Sequence, residues 1–200
     1  MGKPLILPVC LGVAILAGLG VWALWPSDEP VIAVPDRVCG GALPGGPVGD
    51  LLPERGKGFE EELVGSSSPG SISPVWKCRV LGGGQSVYLA YSPILDPADY
   101  GPEDITRDAR KPGNVPLSWG TNKGYVEGKT VSLFVGCENS DGGDVLLEVS
   151  ATVNRGERNL TDATTRGKAV ALAADTARFA APRVEVCKPG TLPETAPEIG

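Results

Sequence analysis

The sequence contains no histidine at all. Histidine is the usual general base of acyl-transfer triads and the commonest metal ligand, so its absence removes the main support for serine, cysteine and zinc hydrolases. The five cysteines include no C-x-x-C pair, which argues against a redox dithiol and against a zinc knuckle. The sequence therefore predicts no metal and no cofactor.

Positive charge is also scarce. The chain has 18 Lys and Arg against 24 Asp and Glu, for a formal net charge of -6. Lys3 is the only charged residue before Asp28, so the remainder of the chain is more acidic still. Such a domain lacks the basic surface that binds nucleic acid or anionic lipid head groups, and no nucleic-acid partner is expected.

The amino-terminal region is the one long apolar run. Residues 4–25 form 22 consecutive uncharged and mostly apolar positions, a helix of roughly 33 Å that would cross the ~30 Å hydrocarbon core of a bilayer. A cleaved signal peptide would have an apolar segment of ~7–15 residues followed by an A-x-A-like site, and no such triplet follows here. We therefore expect residues 1–25 to be a cytoplasmic tip and a retained transmembrane anchor helix.

Cys10 lies inside this run and raises the alternative of a lipidated cysteine. It follows Pro8 and Val9 and is only a few residues from Lys3, whereas lipidation needs a small preceding residue and a full apolar segment. Cys10 is better interpreted as a plain helix residue. With Ala14 and Gly18 it forms a stripe of small residues, which either lets two anchors associate as a weak homodimer or simply faces lipid; the second interpretation is favoured.

The flanking charges predict the orientation of the anchor. Lys3 lies on one side and Asp28 and Glu29 on the other, so the positive-inside rule places the amino terminus in the cytoplasm and residues 26–200 outside. A single-pass protein of the cell membrane is the predicted location. Residues 26–38 contain three prolines and indicate an extended spacer between the membrane and the domain.

The four remaining cysteines lie in the part predicted to be exported: Cys39, Cys78, Cys137 and Cys187. An even number in an oxidising compartment indicates two disulfides. Three pairings exist, and Cys39–Cys78 with Cys137–Cys187 is favoured because each bond then ties neighbouring elements. The predicted domain spans residues 39–188, and the Pro-rich tail, residues 189–200, is expected to be disordered.

Two β-hairpins are the clearest local structures. Residues 75–81 and 86–92 flank a Gly-Gly-Gly turn, and residues 129–138 and 145–153 flank the turn NSDGGD. Short helical turns are expected around residues 48–52 and 59–64. Thr161 or Asp162 is expected to cap an alanine-rich helix that ends near Pro182.

A long connection, residues 93–128, separates the hairpins. Long connections on a scaffold often carry binding residues, so Tyr100, Trp119 and Tyr125 are candidates for a recognition surface; the alternative is that they cap the edge of the core. A glycan hydrolase would need two carboxylates that face each other across a cleft with aromatic lining. The nearest candidates, which strand phase is expected to scatter, are Glu127, Glu138, Asp144 and Glu148.

Several stretches together carry a resemblance: the anchor, the Pro-rich spacer, VCGGALP, WKCRV, VGCE and the closing VCKPG. This pattern resembles uncharacterised membrane-anchored extracytoplasmic proteins of actinobacteria that carry paired cysteines. The resemblance implies an envelope location and disulfides, and it implies no catalytic residues.

The predicted fold class is α+β: an antiparallel sheet of two hairpins plus edge strands, with the carboxy-terminal helix packed on it. The predicted function is a non-enzymatic binding or interaction module of the cell envelope. The alternatives are a carboxylate-based glycan hydrolase and an accessory subunit of a membrane complex.

Overall fold

The computed structural model describes residues 29–64, 75–96, 98–139, 142–156 and 160–200. They form an α+β fold with an antiparallel sheet and a carboxy-terminal helix, as predicted. The predicted anchor and the small-residue stripe at Cys10, Ala14 and Gly18 lie outside these residues. Among the described residues, no helix has the length and apolarity needed to cross a bilayer.

The strands and helices follow in chain order. The strands are β1 (Arg37–Val38), β2 (Leu43–Pro44), β3 (Glu60–Val64), β4 (Trp76–Gly82), β5 (Gln85–Ile94), β6 (Val115–Trp119), β7 (Asn122–Glu127), β8 (Thr130–Glu138), β9 (Asp144–Asn154), β10 (Lys188–Pro189) and β11 (Glu198–Ile199). The helices are α1 (Gly45–Gly49), α2 (Pro102–Ala109) and α3 (Ala163–Ala180), the last continued by a 3₁₀ turn (Ala181–Arg183).

The two predicted hairpins form the centre of the sheet. They are β4–β5 and β8–β9, and they join because β5 pairs antiparallel with β9 along its whole length. The strand order is β11-β6-β7-β8-β9-β5-β4-β3, with β10 pairing with β8 beyond this path. Strict alternation along the central strands gives the sheet one apolar and one mostly polar face.

The apolar face packs on α3. Asp162 caps this helix by accepting a hydrogen bond from the Thr165 amide at 2.6 Å. Small side chains let the helix approach the sheet closely, and its buried residues include Ala169, Leu172 and Ala173. Ala163, in the first turn, is exposed.

Residues 93–128 are more ordered than predicted. They contain α2, β6 and β7, which extend the sheet beyond the second hairpin. Residues 59–64 also differ from the prediction, because residues 60–64 form the edge strand β3 and not a helical turn. Glu61 stabilises this strand by accepting hydrogen bonds from the amides of Cys39 and Gly40 at 2.8 and 3.2 Å.

The described part of the predicted spacer, residues 29–38, belongs to the folded domain. Ile32 and Val38 are buried, and Arg37–Val38 pairs with β2. The prolines in this segment indicated a spacer, but two of its apolar side chains, Ile32 and Val38, are buried in the domain, whereas Val31 is 66% exposed.

The tail is likewise ordered, so the prediction of disorder for residues 189–200 is wrong. Arg178 donates hydrogen bonds to the carbonyls of Pro193, Glu194 and Thr195 at 2.7–3.0 Å. The indole of Trp119 donates to the same Thr195 carbonyl at 2.7 Å, and the guanidinium lies 5.1 Å from the Trp119 ring centroid. We call this arrangement the tail clasp; it holds β11 against β6.

Both disulfides have the favoured pairing. Cys39 bonds to Cys78, which joins the segment after β1 to β4, and Cys137 bonds to Cys187, which joins β8 to the segment after α3. All four residues are buried. The disulfides therefore connect both ends of the described domain to the sheet.

Candidate binding site on the open sheet face

The face of the sheet opposite α3 carries a band of small and polar side chains, which we call the open face. Cross-strand pairing gives its central row as Lys77, Ala90, Ser150, Ser132 and Tyr125. The next row places Glu148 between Ser92 on β5 and Phe134 on β8. Within the described ranges, α2 is the helix that covers this face, and it does so only at the β6–β7 end.

Helix α2 forms a second, smaller core on this face. Its Ile105 packs with Phe134 and Leu146, and Ile94, Tyr100 and Tyr125 lie around them. The Phe134 ring centroid is 5.5 Å from that of Tyr100 and 6.0 Å from that of Tyr125. An aromatic cluster of Tyr100, Tyr125 and Phe134 therefore lies at the border between the part of the open face that α2 covers and the part that it leaves uncovered.

The hydroxyl groups of Tyr100 and Tyr125 contact each other and are fixed by hydrogen bonds. Tyr100 Oη donates to Asp108 Oδ2 at 3.0 Å and lies 3.3 Å from Tyr125 Oη. The Asp108 carboxylate also pairs with Lys111 Nζ at 2.8 Å, and that hydrogen bond lowers the pKa of Asp108. Burial, followed by the hydrogen bonds, raises the pKa of Tyr100 far above its ordinary value, so both phenols are neutral at physiological pH.

Glu148 is the unusual charge on this face. Its side chain is half-buried, and it has no hydrogen-bond or ion-pair partner among the residues that the structure describes. Burial raises the pKa of its carboxyl above the ordinary value. Its charge is felt by the neighbouring Tyr125 hydroxyl, whose pKa it helps to raise. A carboxylate left unpaired in a partly desolvated place destabilises the fold unless something from outside pairs with it.

The predicted recognition residues separate into two groups. Tyr100 and Tyr125 meet on the open face, as their hydroxyl contact shows. Trp119 lies on the other side of the sheet, only 2% exposed, and holds the tail. It therefore cannot belong to the same surface, and its role is the alternative one of closing the core edge.

The four candidate carboxylates share one face of the sheet, contrary to the prediction that strand phase scatters them. The alternation of β9 puts Asp144 and Glu148 on the same side, and pairing adds Glu138 opposite Asp144 and Glu127 opposite Thr130. Four residues of strand put about 13 Å between Asp144 and Glu148, which exceeds the ~5–9.5 Å of glycosidase carboxylate pairs. Glu138 and Asp144 are direct cross-strand neighbours, but both are exposed at the end of the β8–β9 hairpin. Four residues of β8 separate Glu138 from Phe134, so the aromatic cluster does not line this pair.

Sequence reasoning missed Phe134, Ser92 and Asp108 as members of this site. Phe134 stands at an alternating position of β8 that faces away from the main core, which was the available signal. Ser92 and Asp108 offered none, because their places depend on the β5–β9 pairing and on the fold of α2. No cluster of potential metal ligands occurs in the described parts of the chain.

Comparison of the chain with models of protein families, with curated proteins and with solved structures finds no match.

Proposed function

We propose that this protein is a membrane-anchored binding module of the cell envelope that contacts its partner through the open face. The observation that carries the proposal is the half-buried Glu148, which has no partner among the described residues and lies beside the Tyr100–Tyr125 pair on a sheet face that α2 leaves partly uncovered. Binding sites combine apolar or aromatic surface with a few placed polar groups in this way.

Two further features support the location. The disulfides favour an oxidising compartment, and residues 4–25 have the length and composition of an anchor. The resemblance to anchored extracytoplasmic actinobacterial proteins agrees with both. The hydrolase alternative has less support, because Asp144 and Glu148 are too far apart and the neighbouring pair Glu138 and Asp144 is exposed at a hairpin end away from the aromatic cluster. No contact among the described residues favours the accessory-subunit alternative specifically.

Location is tested by labelling intact cells with a membrane-impermeant maleimide, with and without prior reduction, and by mapping the labelled peptides. We expect Cys39, Cys78, Cys137 and Cys187 to react only after reduction, with residues 1–25 still attached to the chain. Labelling without reduction, and only after the cells are broken open, would place the domain in the cytoplasm and contradict the proposal.

Partner contact is tested by site-specific photo-crosslinking of the full chain in its membrane. A benzophenone amino acid replaces Tyr88, which is half-exposed on the open face, and in a matched control it replaces Thr164, which is exposed at the start of α3. We expect a light-dependent adduct from position 88 and none from position 164. Equal adducts from both positions, or none from either, would argue against the open face as the contact surface.

A further inference from the structure

The surroundings of Glu148 are asymmetric. On the β5 side the neighbouring positions carry small residues, Ser92 and Ala90, and Ser150 follows along β9 itself. On the β8 side stands Phe134, whose ring packs against both tyrosines. The Glu148 carboxylate therefore has hydroxyl-bearing neighbours on the β5 side and along β9, and aromatic rings on the β8 side.

No cation of the described chain neutralises this carboxylate. The basic residues of the open face are Lys77 and Arg79 on β4, which β5 separates from β9, and Lys123 on β7, which β8 separates from β9. Lys123 Nζ donates to Thr106 Oγ1 at 3.2 Å. Pairing offsets Lys77 from Glu148 by two strands laterally and two residues along the strand, which is about 12 Å between Cα atoms. Lys111 is already paired with Asp108.

We infer that Glu148 is the anchor of a binding site for a primary ammonium group. The ammonium has three donors: one would bind the Glu148 carboxylate, and the Ser92 and Ser150 hydroxyls are placed to accept the others. Aromatic rings attract cations through their faces, so Tyr125, which is partly exposed and rests against the buried Phe134, adds to the attraction on the far side. The inference deepens the proposed function, on which it rests, by naming the chemical group that is recognised.

The negative net charge of the molecule also favours a cationic ligand. A net charge of -6 over the whole chain raises the local concentration of cations at its surface and disfavours anionic ligands. A primary ammonium can come from a free small amine or from a lysine side chain in a peptide. Both present the same group to Glu148, so the test includes both sources.

The test uses ligand-observed NMR with the full chain in lipid nanodiscs. The probes are n-butylammonium, its neutral analogue n-butanol, and the lysine side chain as acetyl-lysine-amide. We expect the two cations to bind and the alcohol not to bind. Equal saturation transfer to the alcohol and the cations would overturn the inference, since the site would then recognise the alkyl chain.

Two charge-matched variants test the residue. Glu148→Gln keeps the shape of the side chain and removes the charge, and we expect it to weaken binding of both cations at least tenfold. Glu127→Gln removes one charge from an exposed position on the same face, and it should leave binding within about twofold. Equal weakening by both variants would indicate non-specific attraction and overturn the inference. Thermal unfolding of each variant verifies that it is folded.

The experiments can refute the contact surface and the ammonium site independently of each other. If the crosslink from position 88 forms in cells and the cations do not bind, the open face is a contact surface and the ammonium site is wrong. Binding by both cations with similar affinity would indicate that the free ammonium suffices. Binding by acetyl-lysine-amide alone would also support the inference and identify a protein side chain as the source.

Discussion

Glu148 lowers the stability of the fold at neutral pH. Burial raises its pKa above the ordinary carboxyl value, so the folded state favours the protonated form. The stability contribution is therefore complete below the ordinary pKa and is lost as the pH rises through the raised one. We expect Glu148→Gln to raise the free energy of unfolding by about 1 kcal/mol at pH 7, measured by urea denaturation.

The gain from Glu148→Gln should disappear at pH 4 and below, because the native carboxyl is then neutral as well. Glu127→Gln is the control, since this side chain is exposed and its replacement should change stability by less than about 0.5 kcal/mol at either pH. A Glu148→Gln gain that persists unchanged in acid would show that desolvation of the charge is not its cause.

At the scale of elements, the sequence predicted the hairpins and the helix that are determined by interactions between residues close in the chain. The hairpins follow from alternation and glycine turns, and α3 follows from its Asp162 cap and its stop near Pro182. Strand β3 could not be recognised in this way, because its three glutamates suit a solvated helix, and its pairing with β4 is a contact distant in sequence. Strand β6 contains Pro116, which weakens a strand pattern, and is held by β7 and β11.

The candidate site was predictable only in its parts. Tyr100 and Tyr125 were recognisable as aromatic residues in a long connection, but their contact requires α2 to fold over the sheet. Glu148 was recognisable as a charge within an alternating apolar strand. Its isolation depends on which residues of β5 and β8 stand beside it, and no local pattern encodes this register.

Gly124 on β7 lies closely against the backbone of β8. A Cβ atom at this position would lie 2.2 Å from the Ser132 carbonyl oxygen. We expect Gly124→Ala to lower the free energy of unfolding by about 1–3 kcal/mol, because the strands must shift apart. Gly136→Ala is the control on the neighbouring strand, where a Cβ atom would meet nothing within 4 Å; it should have little effect. Similar losses in both variants would refute the close approach as the cause.

The tail clasp depends on one side chain. Arg178 makes its three hydrogen bonds to tail carbonyls while pairing with Asp175 at 2.6 Å. We expect Arg178→Ala to lower stability by about 2 kcal/mol and to speed amide exchange in residues 194–199 at least tenfold. Hydrogen exchange followed by mass spectrometry measures this.

Arg183→Ala serves as the control for the clasp. The Arg183 guanidinium lies 4.1 Å from the ring centroid of Phe179 and donates to the carbonyl of that same residue, so both contacts are within its own helical segment. Exchange in the tail should therefore stay unchanged in this variant. Faster tail exchange in both arginine variants would mean that α3, and not the clasp, had been disturbed.

At the scale of the whole molecule, we expect the two disulfides to contribute equally to overall stability but to order different segments of the chain. Their loops span 39 and 50 residues, so the chain-entropy model assigns each about 4 kcal/mol. We expect the double replacements Cys39→Ser with Cys78→Ser, and Cys137→Ser with Cys187→Ser, to lower the free energy of unfolding by similar amounts. Urea denaturation of the two variants measures this.

Local exchange should distinguish the two disulfides where global stability does not. Cys187 directly precedes β10, which pairs with β8, and the tail follows. Loss of the Cys137–Cys187 bond should therefore speed amide exchange in residues 188–200 more than loss of the other bond does, whereas loss of Cys39–Cys78 should act on residues 37–44 and on β3. The same exchange pattern in both variants would show that the domain opens as one cooperative unit, with the clasp and the disulfide lost together.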